Sequence, residues 1–393
     1  LVVKKADADI FYDTHTISLN HAGEELCGDQ VKVLRTPHKT LVVLSDGLGS
    51  GVKANILARL TTEILLTMLR ENVPLKDVLE TVVGTLPTCK VRQIAYAAFV
   101  VVEIEHATRQ FRIINFDCPP AFLLREGRVV PMPPRVETIL GRDLRLCEGT
   151  LERGDFIGIL SDGVTYAGMG TTMNFGWGWE QIGDYLEESA RVPPASAEVL
   201  VRKVMARTES LYGGAPGDDA TLVGILARRP NRLMVFTGPP MDKNLDERCV
   251  GRLCEFDGRK VVCGGTTGNI VAEHLGEIVD LDLTTIREDV PPIGSLSSID
   301  LMTEGILTLA KTLRLLKDSQ GNLRHVPLDR NGATLLAREL LRADSIFFLA
   351  GEQVNPFYQN PLLPRNISIR HSLIEQIVET LRSHHKEVAV EWC

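Results

Sequence analysis

The sequence predicts an α+β chain built in two parts, and three observations carry that reading. Apolar runs with strand alternation crowd the first 229 residues. The segment ARRPNR (227–232), with one proline and three arginines, has the composition of a linker. Beyond it, strand and helix patterns alternate to the C-terminus, the rhythm of a smaller α/β layer with a largely parallel sheet. The expected parts are residues 1–229 and 230–393.

In the first part, TISLN (16–20) and VKVLR (31–35) alternate as strands. KTLVVLSDG (39–47) is a buried strand stopping at Asp46-Gly47. The stretch 49–73 places Ile56, Leu60, Ile64 and Leu65 on one face, which predicts an amphipathic helix. Pro74 ends it, and 74–87 gives a second helix. Strands follow at 94–105, 109–116, 121–127 and 128–132. GDFIGILSDGV (154–164) repeats the motif of a buried strand ending in Ser-Asp-Gly. Helices are expected at 178–190 and 195–211, and a last strand at 220–227 after the loop GGAPGDD. In the second part, strands are expected at 232–238, 259–265, 277–283, 344–351 and 387–393. Helices are expected at 266–276, 332–343 and 371–385.

The 393 residues are 44% hydrophobic and 24% charged, enough to bury large cores without staples. A net charge of −8 leaves no basic field, so nucleic acid is not an expected partner. The eight cysteines include no CxxC pair and read as reduced, scattered thiols, none acting as a nucleophile. No apolar run is long enough to span a bilayer, and the first ten residues lack the order of a signal peptide. The expectation is a cytoplasmic protein with no membrane partner.

The chemistry rests on aspartates. Asp46 and Asp162 each follow a serine and precede a glycine at the end of an apolar strand. Asp218-Asp219 stands just before a strand, and Asp29 precedes the strand that leads toward Asp46. A strand end leaves a short carboxylate little freedom to lose, and carboxylates are the hard oxygen ligands that Mg²⁺ and Mn²⁺ prefer. The following glycine lets the chain turn and exposes its own carbonyl. Any single Asp-Gly is most simply a turn pair. Several carboxylates in one place call for cations, and two are more natural than one.

These residues resemble a known family. ELCGDQ, then LVVLSDGLGSG before a long helix, then LSDGV, then GDDATLV, are similar to the motifs of the metal-dependent protein phosphatases of type 2C, and most of all to the bacterial branch typified by the stage II sporulation protein E phosphatase. NFDCPPAFLLREGRV (115–129) is similar to a central stretch of that family, and the likeness covers residues 10–228. The resemblance implies two packed β-sheets flanked by helices, with two divalent cations, Mn²⁺ or Mg²⁺, at one edge. It implies that Asp46 bridges both ions, that the Gly47 carbonyl ligates one, and that Asp162 and Asp218 hold the other. Asp29 would act through water and Asp219 in support. Asp46, Asp162 and Asp218 become the expected catalytic residues of a protein-serine/threonine phosphatase. A water between two such cations is acidified enough to attack phosphorus in line. The expected substrate is a phosphoprotein; the sporulation branch points to an anti-sigma-factor antagonist. Two departures stand out. HAGEELCGD lacks the phosphate-gripping Arg of eukaryotic relatives, and Cys118 replaces a His or Asp common in bacterial ones, reading as a small buried residue.

The second part is less legible. VVCGGTTGNIV (261–271) is a strand, a glycine turn and a helix start, which could take a small ligand or anion. It matches neither the Walker motif nor the GxGxxG fingerprint, and a plain α/β turn is the simpler reading. Asp242, Asp246 and Glu247 read as a solvated helix start. Residues 283–298, with two adjacent prolines, read as a mobile or ligand-covering loop, and His384-His385 as exposed helix surface. The part is expected to be regulatory or ligand-binding. Two rival readings remain: a signalling adaptor in which the first part is a scaffold, and a hydrolase of small phosphoesters.

Overall fold

Two antiparallel sheets form wherever β-branched and leucine runs alternate in the first unit, Leu1–Arg229. The computed structural model describes residues 10–85, 97–353, 369–384 and 386–393. In chain order the elements are β1 (Phe11–Leu19), β2 (Asp29–Arg35), β3 (Lys39–Asp46), α1 (Gly51–Arg70), α2 (Leu75–Thr85), β4 (Ala98–Glu105) and β5 (Gln110–Phe116). Then come β6 (Phe122–Arg125), β7 (Arg128–Val129), β8 (Arg135–Ile139), β9 (Arg142–Thr150) and β10 (Phe156–Leu160). The unit closes with α3 (Asp162–Thr165), α4 (Trp179–Ser189), α5 (Ala197–Leu211) and β11 (Ala220–Arg228). One sheet has the order β1-β11-β10-β6-β7 and the other β2-β3-β4-β5-β9-β8.

The sheets pack face to face. Val42, Leu44, Val100 and Val102 of one share a buried cluster with Ile157, Ile159, Val223 and Ile225 of the other. The alternate residues of the same strands face outward onto helices. Leu41, Val43 and Val101 meet Leu65, Leu69, Val78 and Leu79 of α1 and α2. Phe156, Leu222 and Leu226 meet Ile182, Leu186, Leu200 and Val204 of α4 and α5. This is the expected pair of packed sheets with flanking helices.

Several local expectations are revised. Ile56 and Leu60 of α1 are 52% and 43% exposed, while the helix buries Ala54, Ala58, Thr61, Thr62, Leu65 and Leu69. Small residues face the sheet because α1 runs too close to it for large ones at its N-terminal half. The expected strand 128–132 shrinks to the two residues of β7. The hairpin β8–β9 is an addition; its alternating charged residues hide a half-buried strand. Residues 86–87 and 94–96 of the expected elements, and most of the first ten residues, lie outside the described ones.

The second unit, Pro230–Cys393, comprises β12 (Arg232–Thr237), α6 (Asp246–Glu255), β13 (Arg259–Cys263), α7 (Gly265–Leu275), β14 (Asp280–Asp282), β15 (Ile293–Leu296) and β16 (Ile299–Thr303). It continues with α8 (Ile306–Ser319), α9 (Gly332–Arg342), β17 (Ser345–Ala350), α10 (Ile369–Ser383) and β18 (Glu387–Trp392). The sheet order is β14-β15-β16-β13-β12-β17-β18, parallel from β16 through β18 and antiparallel at the β14–β15 edge. Helices cover both faces. Leu233 and Val235 of β12 pack with α8, α9 and α10, whereas Met234 and Phe236 pack with α6 and α7. Burial on both faces explains why its central strands read as continuous apolar runs.

The segment 283–298 holds β15 and a short 3₁₀ turn at Leu283–Thr285 rather than a plain loop. β16, α6 and α8 are additions to the expected elements. His384 is half-buried, with its Nε2 atom enclosed, and His385 lies outside the described residues. Asp242 caps a 3₁₀ turn and Asp246 opens α6, as expected of a helix start. Among the described residues no helix is long and apolar enough to cross a membrane.

Candidate metal centre

Strand register brings the first two aspartates together. Asp29 opens β2 and Asp46 closes β3, and the two are direct partners across the antiparallel pair. Asp162 follows β10 as the first residue of α3, and Asp218-Asp219 precede β11, the strand beside β10. Each sheet thus contributes one Ser-Asp-Gly and one further acidic position.

The link between the sheets is a hydrogen bond. Ser161 Oγ donates to Asp29 Oδ2 at 2.7 Å and accepts from the Thr221 N–H at 2.9 Å. The serine of the other motif does something different: Ser45 Oγ donates to the Ala98 carbonyl at 3.2 Å and only fastens β3 to β4. Asp219 accepts from the His21 N–H through Oδ1 at 3.0 Å, and the Asp219 N–H donates to Asp218 Oδ1 at 2.9 Å. Tyr212 donates to the Gly163 carbonyl at 2.7 Å, steadying the turn that carries Asp162. Ser161, Thr221, His21 and Tyr212 escaped the sequence reading. Only Ser161 had a signal, its place in the repeated motif.

The glycines serve packing rather than turning. Neither Gly47 nor Gly163 has a positive φ. A Cβ on Gly47 would lie 2.1 Å from the Ala54 carbonyl oxygen of α1, and one on Gly163 would lie 2.1 Å from the Asp219 oxygen. A Cβ on Gly28 would lie 2.7 Å from Asp219 Oδ2. Absence of side chains at these points lets α1 and β11 press against the acidic edge.

The electrostatics are those of anions held together in a dry place. Burial first, then the charges of Asp29, Asp162, Asp218 and Asp219, push Asp46 up to about 9. Burial pushes Asp29 up to about 7, with Ser161 and Thr221 opposing the rise and Asp219 and Asp162 adding to it. Asp162 is raised by burial and by Asp218, and Asp218 by burial with Asp219 adding. Tyr212 is pushed up to about 12 by burial and by Asp218 and Asp162. Asp29, Asp46, Asp162 and Asp218 are therefore each raised by a neighbouring aspartate as well as by burial, and Asp219 is one of those neighbours.

Two buried carboxylate oxygens, Asp29 Oδ1 and Asp219 Oδ2, have no hydrogen-bond partner among the described residues. Orphaned buried acceptors among mutually repelling carboxylates match the donor chemistry of a hard divalent cation. Among the described residues no three His, Cys, Asp or Glu side chains converge closely enough to hold an ion as they stand. The donor types fit; drawing the carboxylates inward requires a cation's charge to offset their repulsion.

Cys118 is buried, its N–H bonded to Asn115 Oδ1 at 3.1 Å, and burial beside the aspartates pushes its thiol up. The Cys-x5-Arg spacing of cysteine phosphatases occurs once, from Cys147 to Arg153. Cys147 lies within β9, its thiol donates to the Met132 carbonyl at 3.5 Å, and burial raises it, so it lacks the features of a nucleophile. A surface cavity of about 510 Å³ lined by Glu126, Arg128, Asp184 and Arg191 includes none of the aspartates.

Ser161→Ala is expected to destabilise the protein by about 1–3 kcal/mol, because it strands the Thr221 N–H and Asp29 Oδ2 in a buried place. Urea unfolding checks this; an unchanged midpoint would show the two groups find other partners.

Residues 36–228 match the family model described as stage II sporulation protein E. Among curated proteins no sequence matches the chain. Among solved structures, the phosphatase domain with a fragment of the regulatory domain of SpoIIE from Bacillus subtilis is 17% identical, covering 56% of this chain and 64% of that one, with a TM-score of 0.47. The present chain thus spans less than two thirds of that protein's solved length. The RsbU and RsbW domains of Rv1364c from Mycobacterium tuberculosis are 19% identical over 63% of this chain and 71% of that one, with a TM-score of 0.46. RsbX in complex with magnesium is 18% identical over 56% of this chain and 100% of that one, with a TM-score of 0.40. The family-model match marks residues 36–228, just under half of the chain, as a domain similar to stage II sporulation protein E.

Proposed function

We propose that the protein hydrolyses phosphoserine or phosphothreonine in a partner protein, using two divalent cations, Mn²⁺ or Mg²⁺. The observation that carries this reading is the set of four aspartates, Asp29, Asp46, Asp162 and Asp218, each raised by burial and by neighbouring carboxylates at one edge of the paired sheets, three of them inside the family segment. Asp46 and the Gly47 carbonyl, Asp162 and Asp218 would hold the cations, with Asp29 acting through water and Asp219 orienting its neighbours. When bound, the cations supply an acidified water at neutral pH and neutralise the phosphoryl oxygens.

The chain's own residues set the stage for that chemistry. Strand ends fix the carboxylates before any ion arrives, and Ser161 holds Asp29 against rotation. Tyr212, donating to the Gly163 carbonyl and raised to about 12, stays protonated and cannot compete as a base. Burial keeps Cys118 and Cys147 as thiols. Residues 230–393 serve as a regulatory or ligand-binding part, and the family segment favours a signalling phosphoprotein such as an anti-sigma-factor antagonist as substrate.

The test is hydrolysis of a phosphoserine peptide by the full chain with Mn²⁺, with Mg²⁺, and after EDTA. Activity should appear with metal and vanish on its removal. Metal-independent turnover, or turnover of small phosphoesters alone, would overturn the reading.

A further inference from the structure

The parallel sheet of the second unit carries a polar row where its strands end. Thr237, Cys263 and Thr303 are the last residues of β12, β13 and β16 and lie side by side in register, with Ala350 of β17 next to Thr237. All three polar members are buried. A hydroxyl–thiol–hydroxyl row is out of place at the edge of a core this apolar.

Its hydrogen bonds do not close. Thr303 Oγ1 shares its proton between the Glu304 carbonyl at 3.0 Å and Cys263 Sγ at 3.2 Å, and Cys263 Sγ donates to the same carbonyl at 3.1 Å, which leaves the opening at Thr237. Thr237 Oγ1 has no partner among the described residues, although the Cys263 thiol is its neighbour. Thr267 Oγ1, fully buried in the first turn of α7, has none either. It points at the strand-to-helix turn: a Cβ on Gly264 would lie 3.1 Å from it. Gly264, at φ +132°, is the N-cap of α7 and offers no side chain to the helix's first N–H groups.

After three of the four strands the next residue removes bulk. Gly351, Gly238 and Gly264 follow Ala350, Thr237 and Cys263. Over this row lies Arg370. A Cβ on Gly238 would meet its Nη1 atom at 2.2 Å, and Nη1 donates to the carbonyls of Gly351 and Gln353 at 3.1 and 3.2 Å. No carboxylate pairs with this guanidinium among the described residues, and burial pushes its pKa down. A half-buried cation without a counter-charge is costly and calls for an anion.

The topology places all of this at one point. From β12 the chain moves outward through β13 to β16, then returns to the other side of β12 for β17 and β18. The order therefore reverses between β12 and β17, and ligands of open α/β sheets bind beyond the strand ends at such a reversal. Glu304 also faces the turn, its carboxylate 2.7 Å from where a Cβ on Gly265 would lie. It disfavours a bare anion on its side and suits a ligand that presents hydroxyls there.

We propose that this crevice binds a small phosphorylated sugar or nucleotide, with its phosphate between the α7 N-terminus and Arg370, a hydroxyl-bearing part toward Glu304, and Thr237 and Thr267 as buried hydrogen-bonding anchors. The site belongs to the second unit and does not depend on the phosphatase reading.

The test is calorimetric titration of the full chain carrying Asp46→Asn, in EDTA, with ribose 5-phosphate, AMP, inorganic phosphate and adenosine. At least one of the two esters should bind, with inorganic phosphate and adenosine at least tenfold weaker. Whether AMP or ribose 5-phosphate binds more tightly separates a nucleotide from a sugar phosphate. Arg370→Gln should weaken the ester at least tenfold. Thr267→Val should weaken it too while raising the thermal midpoint of the ligand-free protein, because it removes an unpaired buried hydroxyl at constant shape. No heat from either ester overturns the proposal. So does ester binding that survives both substitutions, or equal affinity for inorganic phosphate.

Discussion

Asp46→Asn is expected to lower Mn²⁺-dependent hydrolysis of a phosphoserine peptide by roughly a thousandfold or more, since it removes the carboxylate proposed to serve both cations. The same change should stabilise the metal-free protein. In the fold without metal, burial and four neighbouring carboxylates hold Asp46 near 9, far above its ordinary value. A raised folded pKa means that stability is complete below the ordinary carboxylate range and falls as pH climbs toward the folded value. At pH 7.5 the native carboxyl group, which the fold keeps protonated, carries that cost and an asparagine does not. The thermal midpoint in EDTA should therefore rise by a few degrees, at about 2–4 °C per kcal/mol for a unit of this size. Circular dichroism melts and peptide turnover read the two effects separately. A folded mutant with near-normal turnover would remove Asp46 from the chemistry.

Gly47→Ala should cost about 3 kcal/mol or more, one of the larger effects a single methyl can have. The new Cβ would stand 2.1 Å from the Ala54 oxygen and 2.6 Å from its carbonyl carbon, both backbone atoms that no rotamer change can move. Helix α1 must then lift from the end of β3, carrying the acidic edge with it. Gly84→Ala is the control, because a Cβ there meets nothing within 4 Å. In the last turn of α2 that substitution should be neutral or gain up to about 1 kcal/mol. Urea midpoints of the two variants compare them; equal stability would show that α1 yields without cost.

Much of this site was legible because the code is local. A serine, an aspartate and a glycine after an apolar run mark a strand end wherever they occur; Asp46 and Asp162 were named from such marks, and Asp29, Asp218 and Asp219 from their places just before strands. What escaped depends on partners far away in sequence. Ser161 meets Asp29 across 132 residues, and His21 meets Asp219 across 198. No periodicity reports such pairings. The glycines illustrate the same limit: their chemistry read as turn freedom, yet the space they vacate belongs to Ala54 and Asp219. In the fold, periodicity placed α4 and α5 within a residue or two of their observed ends, because those helices lay one broad face on a sheet. It misjudged α1, where close approach to the sheet selects alanine and threonine and turns Ile56 and Leu60 outward. Polar alternation in β9 was masked by its charges.

The Ser161–Asp29 hydrogen bond gives the acidic edge a mechanical character. Asp29 and Asp46 ride on one sheet, Asp162 and Asp218 on the other, and the layer between them is the shared apolar filling of Val42, Val100, Ile159 and Val223. The cluster therefore works as a gauge of the gap between two plates. A truncation deep in that filling, remote from any charge, would reset the spacing of the carboxylates and be felt as altered cation affinity before it was felt as loss of fold.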